Sequence, residues 1–186
     1  MPVERDEPGL VGLVQQGDAA AFGELVDRYA EAAYGVALSI VGTPQDAEDA
    51  VQSAFIRALT RIDQLRPGSP FGPWFYSVLR STALNLRRRE GLRSHGEVPD
   101  TTAGSGRPDE DLERTLARQH VLAALETLPE QQRTAVVLYD LQGFSHREVA
   151  ESLGVAVGTS RAHVHHGRKA LRDLLGPIME MSEGEA

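Results

Sequence analysis

Residues 143–175, GFSHREVAESLGVAVGTSRAHVHHGRKALRDLL, constrain the fold of this chain more than any other stretch. Ser145 and Glu148 stand three apart, the spacing of a capping box. The Ser hydroxyl takes up an orphan amide of the first helical turn while the Glu carboxylate reaches back to the cap amide. Val149, Ala150 and Leu153 then mark one apolar helix face, and Gly154 offers the left-handed residue that ends the helix. After Val155-Ala156-Val157 a second helix is expected. Ser160, Val164, Gly167, Leu171 and Leu175 recur at helical spacing and would pack inward, with His163 leaning the same way. That turns Arg161, Ala162, His165, His166 and Lys169 outward. A capped short helix, a glycine turn and a helix with a basic outer face predict a helix-turn-helix, whose second helix enters the major groove of DNA. The competing reading is a plain αα-hairpin with solvated charges. Agreement between the turn and the outward basic face favours DNA.

The rest of the chain also carries the helical period. Phe22, Leu25, Val26, Tyr29, Ala33, Val36, Ala37 and Ile40 follow the i, i+3, i+4, i+7 rule, and Gly42 stops that helix. Thr43-Pro44 starts the next, with Thr as cap and Pro in the first turn. Its inward residues are Ala47, Ala50, Val51, Ala54, Ala58 and Ile62, and its other side carries Asp46, Glu48, Asp49, Gln52 and Ser53. RPGSPFGP (66–73) reads as a loop. A third helix is expected from about residue 73 to residue 90, with Phe75, Val78, Leu79, Ala83 and Leu86 inward. Residues 91–111 are Gly, Ser, Thr, Pro and acid, the composition of a flexible linker. Helical patterns resume at Leu112, Leu116, Val121, Leu122, Leu125 and Leu128, and again after Pro129 with Val136, Val137, Leu138 and Leu141. The tail after Leu175 is expected to fray. No segment alternates like a strand. The expected fold is all-α: two small helical domains, residues 1–90 and 112–186, joined by an acidic linker at residues 91–111.

Composition narrows the function. The chain has no cysteine, which excludes disulfides and thiolate zinc sites. The N-terminus MPVERDEPGL lacks the apolar core of a signal peptide, and no apolar run approaches the roughly 20 residues that span a bilayer. A cytoplasmic protein without membrane insertion is expected. The net charge of −8 is unusual for a free-standing DNA binder, because phosphate neutralisation dominates non-specific affinity. Basic residues are local, in Arg87-Arg88-Arg89 and in the last helix. An acidic body with two basic patches suggests a protein that meets DNA inside a larger complex, which supplies most of the affinity.

Two further constellations stand out. Trp74, Ser77, Ser81, Asn85 and Arg88 fall at intervals of three and four on one side of the third helix. An aromatic, hydroxyls, an amide and a basic end suit single-stranded DNA. The alternative makes Trp74 a core residue and the Arg run a solvated helix end. Asp46, Glu48 and Asp49 suggest a protein-binding face rather than catalysis, since no nucleophile or phosphate loop lies nearby. No metal site is expected from His163, His165 and His166, because they do not converge on one side. No catalytic arrangement and no cofactor fingerprint is evident.

Together DAEDAVQSAFIRAL (46–59), PWFYSVLRSTALNLRRR (73–89) and LETLPEQQRTAVVLYDLQGFSHREVAESLGVAVGTSRAHVHHGRKAL (125–171) resemble the extracytoplasmic-function (ECF) sigma factors of bacterial RNA polymerase. The resemblance covers about residues 22–175. It implies a non-enzymatic specificity subunit that binds core polymerase and promoter DNA and is held by a cognate anti-sigma factor. It assigns core polymerase binding to Asp46, Glu48, Asp49 and Gln52. Recognition and opening of the minus-10 element would fall to the loop at 66–71 and to Trp74, Arg80, Ser81, Asn85, Arg87, Arg88 and Arg89. The minus-35 element would be read by Thr159, Arg161, His165, His166 and Lys169, and the linker would thread through the polymerase cleft.

This chain departs from the family pattern in two places. The family commonly has Asn and Asp where Ser81 and Asn85 stand, and GTVKSRLHRAR where this chain reads GTSRAHVHHGR. Promoter preference is therefore not carried over, and histidine in place of the family's residues is expected to weaken upstream contact or make it pH-sensitive, because histidine is the residue type that changes charge in the physiological range. The runner-up is a stand-alone helix-turn-helix regulator, which has no need of the acidic helix or of the helix from Trp74 to Arg89.

Overall fold

Asp18, Thr43 and Ser145 each stand one residue before a helix, and each side chain accepts from first-turn amides, so three helix starts are set by local chemistry. The structure, a computed structural model, describes residues 6–93 and 108–183. Among them are eight α-helices and no strand: α1 (Glu7–Gln15), α2 (Ala19–Val41), α3 (Pro44–Arg61), α4 (Phe71–Arg93), α5 (Pro108–Thr127), α6 (Glu130–Val136), α7 (His146–Leu153) and α8 (Val157–Glu183). A 3₁₀ turn at Ile62–Gln64 follows α3, and a π turn at Val137–Leu141 continues α6.

In the N-terminal lobe α2, α3 and α4 pack pairwise. Their shared centre is aromatic. Phe75 stacks on Phe55 at 4.5 Å and on Phe71 at 5.3 Å, and Tyr29 closes on Phe71 at 5.3 Å. Alanines at 47, 50, 54 and 58 give α3 a smooth inner face, fully buried. α1 was not anticipated. It is held by Leu10, Val11 and Val14 and by Glu7, whose carboxylate accepts from the Phe71 amide at 2.6 Å and from the Tyr29 hydroxyl. Glu7 thus caps α4 from another helix. That is why α4 starts at Phe71, inside the expected loop, with Pro73 tolerated in its first turn. Burial, with the Glu7 contact adding to it, pushes the Tyr29 hydroxyl well above its usual pKa.

The C-terminal lobe gathers Leu125, Leu128, Ala135, Val137, Leu138, Val149, Leu153 and Val164 into a buried core. Of the linker expected at 91–111, residues 91–93 and 108–111 are helical, and 94–107 lie outside the described residues. The tail expected to fray continues as helix to Glu183. About five turns of α8 precede Gly176-Pro177, and extending a formed helix costs far less than starting one.

The two lobes touch. α4 lies against α7, and α2 against α6, so apolar residues of both lobes join one cluster. Tyr76 meets Phe144 edge-on at 5.1 Å, and Arg80 forks onto Glu130.

Candidate nucleic-acid interface

The helix-turn-helix is built from local signals. The Glu148 amide donates to Ser145 Oγ at 3.3 Å, and the Ser145 amide donates to Glu148 Oε2 at 2.8 Å, closing the capping box. Gly154 adopts φ 68°, a left-handed conformation in which a Cβ is strained. α8 then buries Ser160, fully enclosed, and Val164. His146 Nδ1 lies 3.3 Å from Ser160 Oγ and ties the start of α7 to the start of α8. Thr159, Arg161, His165, His166 and Lys169 all stand exposed on the outer side of α8. His163 is half-buried, and its Nε2 has no hydrogen-bond partner. The rings of His165 and His166 are 5.6 Å apart, and no group of three potential metal ligands forms among the described residues.

Between α7 and α8 lies an open depression of about 530 Å³ rimmed by His146, Arg161, His165, Arg168, Lys169 and Arg172. Arg168, Arg172 and His146 were missed in the sequence. The two arginines follow Arg161, His165 and Lys169 by steps of three and four, so the helical wheel alone would have found them. Arg168 is not a free cation. Its Nε donates to both Asp140 carboxylate oxygens at 3.0 and 3.1 Å, and its guanidinium lies 5.1 Å from the Tyr139 ring centroid. Tyr139 in turn stacks on His146 at 4.3 Å and 18°. A chain of contacts therefore links the π turn, the first residue of α7 and the middle of α8.

On α4 the seven expected contact residues do not share one face. Ser81, Asn85, Arg88 and Arg89 are exposed. Ser81 donates back to the Val78 carbonyl at 2.8 Å. Trp74 is half-buried and packs on Phe71 at 5.8 Å, so its ring is partly core. Arg80 lies about 100° around the helix from Ser81, on the side that meets the C-terminal lobe, and is paired with Glu130 at 2.6 Å. Arg87 is exposed, with Nη1 donating to the Ile40 carbonyl at the end of α2 at 3.2 Å.

On α3, Glu48, Asp49 and Gln52 are exposed. Asp46 differs: it is half-buried, and its carboxylate accepts from the Thr43 hydroxyl at 2.6 Å, closing the helix cap. The outward row continues with Ile56 and Leu59, 59% and 47% exposed, which the sequence reading did not single out. Their i+4 and i+7 spacing from Gln52 was the available signal.

Residues 25–93 match the family model for sigma-70 region 2, and residues 118–171 match sigma-70 region 4. The chain is 34% identical over 178 residues to the ECF RNA polymerase sigma factor SigE of Mycolicibacterium smegmatis, covering 91% of this chain and 69% of that one. It is 31% identical over 181 residues to the ECF RNA polymerase sigma-E factor of Escherichia coli K12, covering 91% and 94%. Among solved structures it superposes on CnrH in complex with the cytosolic domain of CnrY, with TM-score 0.73, 27% identity and 92% and 97% coverage. It also superposes on the sigma factor RpoE in complex with the anti-sigma factor NepR from Bartonella quintana, with TM-score 0.67, 28% identity and 83% and 96% coverage. No helix among the described residues is long and apolar enough to cross a membrane. A region 2 match over α2–α4 and a region 4 match over α5–α8, with 31% identity to the Escherichia coli relative along nearly the whole of both chains, place this chain among the ECF RNA polymerase sigma factors.

Proposed function

We propose that this chain is a dissociable specificity subunit that carries bacterial RNA polymerase to promoters in the cytoplasm and has no catalytic activity of its own. In this reading residues 1–90 bind core and the minus-10 element, residues 112–186 bind the minus-35 element, and residues 91–111 connect them through the polymerase cleft. The observation that carries it is the outer face of α3, where acid gives way to exposed Ile56 and Leu59. A regulator acting alone has no use for such a face. Exposed ion pairs contribute only about 0–1 kcal/mol each, whereas burying a large apolar side chain contributes about 1.5–3 kcal/mol. Glu48, Asp49 and Gln52 would therefore orient the docked polymerase, and Ile56 and Leu59 would supply much of the affinity. Asp46 acts at one remove, by fixing the helix start.

With core bound, the net charge of −8 ceases to be an obstacle, because polymerase supplies the sequence-independent attraction to DNA. The cationic rim of α8 then meets duplex phosphates and base edges at the minus-35 element, and Thr159, Arg161, His165, His166 and Lys169 set the preference. Trp74, Ser81, Asn85, Arg88 and Arg89, with Arg80 and Arg87, would capture bases and phosphates once the minus-10 strands part. A cognate anti-sigma factor is expected, since RpoE from Bartonella quintana was solved bound to one.

Core association tests the docking face. Asp49→Arg and Ile56→Lys should each weaken binding to core polymerase about tenfold or more, with helical content unchanged by circular dichroism. Unchanged core affinity in both variants removes α3 from the interface. The regulator reading requires the opposite behaviour, tight duplex binding by the free chain without polymerase.

A further inference from the structure

Arg80 of α4 donates from Nε to Glu130 Oε1 at 2.6 Å and from Nη2 to Oε2 at 2.8 Å, a fork between the two lobes whose partners are 50 residues apart in sequence. The two side chains are only 21% and 23% exposed, so solvent screens the pair less than an ordinary surface contact. A carboxylate offers the guanidinium the same two-oxygen grip as a phosphate. Burial pushes the Glu130 carboxyl up, but the hydrogen bonds and charge of Arg80, with Thr134 and Arg133 adding to them, outweigh it and hold the carboxyl below its ordinary range.

The same contact region carries an opposing term. Arg133, one turn further along α6, is 2% exposed, and its Nε and Nη1 have no hydrogen-bond partner. Burial, and then the charge of nearby Arg87 on α4, pull its guanidinium below the usual range. The charges of Glu126 and Glu130 offset part of this, but two buried donors without hydrogen-bond partners remain costly, and separation of the lobes would hydrate them. Closure is thus favoured by the fork, by Tyr76 on Phe144 and by the apolar contacts of α4 with α7 and α2 with α6, and opposed by the unpaired donors of Arg133. Opposed terms of this kind make a two-state element.

We propose that the Arg80–Glu130 fork is an intramolecular latch, in which Glu130 holds the place of a promoter phosphate on Arg80 until the C-terminal lobe swings away. Strand capture by α4 is then coupled to separation of the lobes, and the free chain withholds one of its DNA contacts. This rests on the assignment of α4 to DNA given above.

The chain has no cysteine, so Thr60→Cys and Glu151→Cys, at exposed positions on α3 and α7, take a fluorophore pair without further change. Glu130→Gln keeps the shape of the side chain and removes the charge. It should raise the open fraction of the free chain about tenfold, equivalent to about 1.4 kcal/mol. Its affinity for a mixed-sequence single-stranded oligonucleotide should rise by a similar factor. Arg80→Gln should open the chain equally and gain no affinity. The exchanged pair, Arg80→Glu with Glu130→Arg, should close the chain again, which separates loss of the latch from loss of folding. An unchanged interlobe distance in both single variants overturns the latch. Opening by Glu130→Gln without any gain in strand affinity leaves the latch in place and overturns the assignment of α4 to DNA.

Discussion

Gly167 of α8 lies so close to Val136 of α6 that a Cβ at position 167 would fall 2.6 Å from Val136 Cγ2 and 3.3 Å from the Gln132 carbonyl oxygen. The missing side chain lets the helix that carries the cationic rim rest directly on α6. In Gly167→Ala, better helix propensity would contribute about 1 kcal/mol, against an overpacking penalty of about 1–3 kcal/mol. A net loss of up to about 2 kcal/mol is expected in thermal unfolding, together with weaker duplex binding. Adding Val136→Ala should recover only part of it, because the Gln132 carbonyl is backbone and stays in place. A Gly167→Ala protein more stable than the parent would contradict the close approach.

Asp140 and Arg168 define a second outcome. The Arg168 side chain is 49% exposed, so removing the pair by Asp140→Asn should cost under about 1 kcal/mol of stability. The freed guanidinium joins the cations that face DNA. Binding of holoenzyme to upstream duplex should become less selective and steeper in salt, by a slope of about 0.9 for each added phosphate contact. A titration across salt concentrations measures it, and an unchanged slope would show that Arg168 already contacts phosphate while paired.

The two DNA-facing helices should respond differently to a pre-melted template. Arg161→Ala is expected to weaken closed-complex formation and to blunt the effect of changing the upstream element. Asn85→Ala should leave duplex binding nearly intact and reduce permanganate reactivity around the start site. A bubble template should restore transcription to Asn85→Ala and do little for Arg161→Ala. Equal rescue of both would end the proposed division of labour.

Acid should loosen the lobes through Glu130. Its carboxyl titrates below the ordinary 4.5 because the charged form is paired with Arg80. The pair therefore contributes its full stabilisation above pH 4.5, and loses it as pH falls through the lowered value. With a protease site introduced between residues 94 and 107, the two pieces of the cleaved chain should co-elute at neutral pH and separate in that acid range. Glu130→Gln should lack the step that Glu130 adds, which isolates it from other carboxylates.

Local signals made much of this molecule legible before its structure. Ser145, Glu148 and Gly154 announce α7 because capping and left-handed turns are decided within four residues. The inward row Ser160, Val164 and Gly167 follows from period alone, and so does the outward row from Arg161 to Lys169. By period Asp46 belongs with the outward acid of α3, but its carboxylate accepts from the Thr43 hydroxyl three residues earlier, a cap contact that helical spacing alone does not separate from free surface charge. α1 has nine residues and three buried apolar ones, too few for a period to show. Its hold on the fold comes through Glu7 reaching Phe71, a contact between distant segments. The lobe contact was equally hidden. Tyr76 and Arg80 share a face of α4, but nothing in their spacing says that Phe144 and Glu130 cover it. Such pairing depends on the assembled helices, not on a window of sequence.

Run-off transcription tests the central claim most directly. Purified chain is added to core polymerase with a randomised promoter library, and transcripts are sequenced to recover the templates used. The expected result is start-site-specific transcription that depends on the chain, with recovered templates sharing one upstream and one downstream element at fixed spacing. Asp49→Arg should lower the yield, and Arg161→Ala should relax the upstream element alone. No transcript above core alone, with the free chain binding duplex DNA tightly by itself, would contradict the assignment and leave a stand-alone helix-turn-helix regulator in its place.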